Sequence, residues 1–74
     1  MLKKDELECP TSCLNKAADD EPIFVLRAHD ELAPMVVRHW AMLAKASKVP
    51  HAKWSEAEHL AAKMEQWPNR KIPD

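Results

Sequence analysis

There is no glycine anywhere in these 74 residues, where average usage of roughly 7% would supply about five. Motifs that bring backbone close to phosphate are therefore missing: no Walker loop, no dinucleotide fingerprint, no nucleophile elbow and no Gly-x-x-Gly clamp. Hairpin turns and bulges lose their default residue as well, and neither Asn-Gly nor Asp-Gly occurs, so a multi-hairpin β fold would have to turn without its usual residues. An all-α domain of three or four helices is the expectation. At 8.5 kDa one such domain is all the chain can hold, and its core must be efficient or shared with a partner. An apolar fraction of 46% with 31% charged residues is the composition of an ordered domain.

Charge is unevenly distributed. Residues 1–37 carry eight acids and four bases, a net −4, and residues 38–74 carry seven bases and four acids, a net +3. The basic excess is spread over several elements, too thin for a duplex-DNA surface, and an overall −1 is too weak for a DNA mimic. No run of about 18 apolar residues is present to span a membrane. The start, Met1 to Glu8, turns acidic where a signal peptide needs its apolar segment. The tetrapeptide His29-Asp30-Glu31-Leu32 is internal, and that retention address is read at a C-terminus. A cytoplasmic protein with no specific nucleic-acid partner is expected.

Residues 1–10 read as a flexible arm closed by Pro10. Residues 11–68 read as the single helical domain and 69–74 as an extended tail. Thr11 or Ser12 is suited to cap a short helix through Cys13, Leu14, Ala17 and Ala18. Asp19 and Asp20 end it, and Glu21-Pro22 fits a first turn. The run Ile23 to Ala28 is ambiguous: it reads as a short helix, with a strand as the alternative, and a lone strand would have nothing to pair with. Asp30 is suited to cap the first main helix, about 31–46, whose apolar residues Ala33, Val36, Val37, Trp40, Leu43 and Ala44 recur at steps of three and four. Ser55-Glu56-Ala57-Glu58 has the form of a capping box and predicts a second helix over about 55–67, ended by Pro68. The expected core is Leu26, Val37, Trp40, Leu43, Leu60, Ala61, Met64 and Trp67.

Few chemistries remain. Cys9, Cys13, His29 and His39 form a candidate two-cysteine, two-histidine zinc set, half supported by the Cys-x-x-x-Cys spacing and unsupported by the histidines, which stand ten or so residues apart. Against it stands the plain alternative of Cys13 as a small core residue, Cys9 as a thiol on the arm, and surface histidines. Glu56-x-x-His59 has di-iron ligand spacing but lacks its second pair, and reads better as an exposed face beside Lys63. A Cys13–histidine nucleophile has no third group and no oxyanion loop, so no catalytic residue is nominated and the chain is not expected to be an enzyme. A helix-turn-helix fails on its long connection and on the acidic second helix. Met35 and Met42 lie off the main stripe, and Trp54 precedes the Ser55 cap. With the acidic residues Asp19, Asp20 and Glu21 they are the candidate partner-binding set, although a second buried face of the central helix would account for the methionines equally well.

The stretch Asp20-Glu21-Pro22-Ile23-Phe24-Val25-Leu26-Arg27-Ala28-His29-Asp30, with Leu32-Ala33-Pro34, Val37-Arg38-His39-Trp40-Ala41 and the tail Trp67-Pro68-Asn69-Arg70-Lys71-Ile72-Pro73-Asp74, resembles a pattern in small uncharacterised bacterial and phage or prophage accessory proteins. It spans about two-thirds of the chain, leaving the cysteine-bearing arm largely outside. The resemblance implies no activity, cofactor or catalytic residue. It implies an accessory protein that binds another protein, here a bacterial host protein. Apart from the resemblance, the small core makes a homodimer that completes it a further expectation. Reading the residues alone, the runner-up is a zinc-stabilised structural or regulatory domain.

Overall fold

In a computed structural model, which describes residues 1–73, the chain is all-helical. Its elements are α1 (Lys3–Glu8), α2 (Cys13–Lys16), α3 (Ala33–Ala46) and α4 (His51–Glu65). There is no strand among the described residues; one parallel bridge joins Asp30 to Lys71. The two long helices form an antiparallel hairpin, with Lys45 beside Trp54 at the turn and Arg38 ion-paired with Glu65 at the open end.

The turn between them shows how a chain without glycine reverses direction. α3 ends in a pattern where the Val49 N–H donates to the Ala44 carbonyl (3.0 Å) and the Lys48 N–H to the Lys45 carbonyl (3.2 Å). This left-handed cap ordinarily takes glycine. Here Lys48 supplies it at φ 62°, at a cost of roughly 1–2 kcal/mol for a residue with a Cβ. Pro50 then opens α4, its fixed φ compatible with a helix start. Accordingly α4 begins at His51, four residues before the expected start. Ser55 lies inside the helix, its backbone N–H already committed within it, so the capping box does not form.

α3 begins at Ala33, two residues after the expected start, with Leu32 and not Asp30 as its N-cap. The Asp30 carboxylate accepts the Leu32 N–H (2.7 Å), and the Asp30 carbonyl accepts that of Ala33 (3.1 Å). Pro34 sits in the first turn, where it forfeits no helical hydrogen bond, and is fully buried. The segment entering α3 is tied to the segment leaving α4. The Lys71 N–H donates to the His29 carbonyl (2.8 Å), the Glu31 N–H donates to the Lys71 carbonyl (2.9 Å), and the Arg70 guanidinium donates to the Glu31 carbonyl (3.0 Å). An antiparallel hairpin brings these two ends together, so the tail is pinned at 69–71.

Residues 1–16 contain more structure than an arm. The Asn15 amide reaches the carbonyls of Glu6, Leu7 and Cys9 at 3.1, 3.2 and 2.8 Å, plugging the open end of α1. Buried Ser12 caps α2 by accepting the Asn15 N–H (3.2 Å) and donates to the Glu6 carbonyl (2.6 Å). The Glu6 carboxylate accepts the Leu14 N–H at 2.7 Å. These reciprocal caps hold two helices too short to persist alone.

Two further expectations are corrected. Residues 23–27 form neither helix nor strand, and the segment makes no cap or turn hydrogen bond until the Arg27 carbonyl accepts the Asp30 N–H; its β-branched and aromatic side chains gain nothing from a lone helical turn. The core also differs. Ala61 and Met64 are buried as expected, while Leu26, Val37 and Leu60 are half-buried and Trp40, Leu43 and Trp67 are exposed. The hairpin closes instead on Ala33, Pro34, Ala41 and Ala44. Small residues let two helix backbones approach closely, and that rotates the larger side chains of α3 outward.

Candidate functional site

The prominent surface of this molecule is α3 itself. Of its fourteen residues only Arg38, His39 and Lys45 are polar. A helix apolar on nearly every side is ordinarily covered on nearly every side, yet among the described residues α3 has a single helical neighbour. Leu32, Val36, Trp40 and Leu43, at steps of four, four and three, form one open stripe, each between 41% and 52% exposed. Met35 and Met42 lie about a quarter turn further round, at 62% and 58%. The stripe was not anticipated as a surface because its residues recur at core spacing. The legible signal was the scarcity of polar residues in the helix.

Trp54, the other candidate on the hairpin, has an intramolecular role. Its half-buried ring lies edge to face with His51 (centroids 4.4 Å apart, 78° between planes), and the Lys45 ammonium sits 5.0 Å from its centre. Asp19, Asp20 and Glu21 are exposed in a turn, where the Glu21 carboxylate accepts the Ala18 N–H (3.2 Å). Phe24, which was not nominated, is 85% exposed, with Ile23 and Val25 open beside it.

The candidate zinc ligands are not brought together. Among the described residues no three His, Cys, Asp or Glu side chains are grouped to hold a metal ion. Cys9 and Cys13 are free thiols in the N-terminal pair. The His29 Nδ1 is 2.6 Å from the Asn69 carbonyl, at the junction with the tail, and His39 is exposed on α3. Cys9 has an altered acidity: a hydrogen bond with the Thr11 hydroxyl (3.3 Å) lowers its pKa, the Thr11 backbone adds to this, and desolvation and the Glu6 charge oppose it. No described helix is long and apolar enough to cross a membrane.

No family model, curated protein or solved structure matches this chain.

Proposed function

We propose that the chain is a non-enzymatic protein-interaction module, an accessory protein of the phage or prophage kind that binds a bacterial protein in the cytoplasm. The observation that carries this reading is the pair Met35 and Met42. Two flexible, polarisable side chains stand more than half exposed, seven residues apart on a rigid helix. Methionine suits an adaptable contact surface, because its unbranched, polarisable chain repacks against differently shaped apolar partners. The near-neutral net charge fits a partner recognised by shape and apolar contact more than by long-range steering. Trp54 drops out of the proposed contact, since its ring already serves the α3–α4 turn. The acidic residues Asp19, Asp20 and Glu21 remain as its polar rim.

The test is retention from a bacterial lysate, followed by binding of the retained protein in purified form. The parent chain is expected to hold a defined protein, and Met35→Glu with Met42→Glu to weaken that complex at least about thirty-fold, as loss of central contacts does. Absence of any retained protein, or equal binding by the double variant, would remove this reading.

A further inference from the structure

We propose that the cavity where the tail meets the entry to α3 binds a small phosphate, either inorganic phosphate or the terminal group of a small phosphomonoester. The junction consists of two stretches of chain lying side by side, joined by the hydrogen bonds of His29 and Glu31 with Lys71. Val25, Arg27 and His29 are alternate residues of the first stretch, and Lys71 and Pro73 are alternate residues of the second. Together with Asp30 they line a cavity of about 250 Å³. Residues two apart on extended backbone share a side, so pairing the two stretches is enough to bring these side chains round one space. Its volume is below the roughly 300–1,000 Å³ of sites for drug-sized ligands and suits a compact group.

Charge selects that group. Arg27, His29 and Lys71 stand against the single carboxylate of Asp30, which is itself engaged by the Leu32 N–H (2.7 Å). The Arg27 guanidinium has no carboxylate partner among the described residues, where the ion pair formed is that of Arg38 with Glu65. An uncommitted planar fork of donors matches phosphate oxygens two at a time. The His29 Nδ1 is 2.6 Å from the Asn69 carbonyl. A carbonyl only accepts, so Nδ1 carries the proton and the ring is held in place. Its Nε2 is then left to accept the O–H of a protonated phosphate oxygen. Val25 and Pro73 supply apolar walls for a short carbon substituent. A chain without glycine lacks the loops that wrap backbone N–H groups round a phosphate, so recognition here falls to side chains.

This site is separate from the methionine surface of α3, and failure of either reading leaves the other standing. The test is amide NMR of the isotope-labelled full chain, titrated with inorganic phosphate and separately with glycerol phosphate, with sodium chloride at matched ionic strength as reference. Saturable shifts are expected at the amides of residues 25–31 and 69–72, with a dissociation constant below about 1 mM. Tighter binding of the ester assigns the site to a phosphomonoester, and equal or weaker binding assigns it to inorganic phosphate. Arg27→Gln is expected to weaken binding at least about ten-fold, with the helical circular dichroism spectrum retained because Arg27 is exposed. Lys53→Gln removes one positive charge from an exposed position of α4 and is expected to leave binding unchanged. Should Arg27→Gln lose its fold, the map of shifts on the parent chain decides alone. Shifts that never saturate, that spread beyond the junction or that sodium chloride reproduces would overturn the proposal, as would equal affinity in folded Arg27→Gln.

Discussion

The Lys45 ammonium, at the end of α3, sits 5.0 Å from the centre of the Trp54 ring on the first turns of α4. This contact spans the reversal between the two long helices, and His51 packs edge to face with the same ring, the centroids 4.4 Å apart. The turn is thus held by a clasp of side chains in addition to its backbone cap.

Trp54→Ala is expected to cost about 2 kcal/mol, less than the 3–5 kcal/mol of a fully buried aromatic because the ring is half-buried. Lys45→Ala is expected to cost about 0.5–1 kcal/mol. In the double variant the two losses should fall short of additivity, since each removes the same contact. Urea unfolding followed by circular dichroism measures all three. Full additivity would show that the ammonium and the ring contribute independently.

Lys48 occupies the left-handed cap at φ 62°. Lys48→Gly relieves the Cβ clash there, while its greater freedom in the unfolded chain offsets part of the gain, leaving an expected stabilisation of about 0.5–1 kcal/mol. In a domain of this size that raises the melting temperature by several degrees. Lys48→Val should act in the opposite direction, because a β-branched residue is poorly accommodated at positive φ. Thermal unfolding of the two variants checks the sign of each change.

The Cys9 thiol is more acidic than an ordinary cysteine because Thr11 hydrogen-bonds to it. A lower pKa places more of the group as thiolate at a given pH, and thiolate is the reactive form. Thr11→Val removes the hydroxyl, so the Cys9 pKa should rise and its alkylation at mildly alkaline pH should slow, while above the pKa of both forms the rates converge. Labelling with iodoacetamide across a pH series, read by peptide mapping at Cys9, tests this. An unchanged pH profile would assign the acidity to the backbone alone.

The helical class and the end of α3 were legible without coordinates, because they depend on local rules: absent glycine disfavours hairpins, Pro34 is tolerated in a first turn, and the apolar period names the helix. Asp30 was expected to cap α3, but the helix starts at Ala33 with Leu32 as N-cap, and the Asp30 carboxylate instead closes the turn before it on the Leu32 N–H. The start of α4 was misread for a local reason as well: Ser55 and Glu58 have the right spacing for a capping box, but Pro50 already stood at an earlier helix start, and nothing between them breaks a helix. Asn15 was not nominated at all, since the carbonyls it caps belong to a different helix.

What the residues determined by themselves is thus the kind of element and roughly where it lies. Tertiary structure alone decided which side of each element is inside. Two stripes on α3 had adequate apolar period, one through Ala33, Val37, Ala41 and Ala44, the other through Leu32, Val36, Trp40 and Leu43. Hydrophobicity favours burying the second, whose side chains are larger. The close approach of α4 selected the first, because a helix pair of this kind packs most tightly where its side chains are small. The choice depends on the shape of the facing helix, and a one-dimensional period does not carry that information. Its consequence is that Leu32, Val36, Trp40 and Leu43 lie open on α3, beside the exposed Met35 and Met42 of the proposed partner contact.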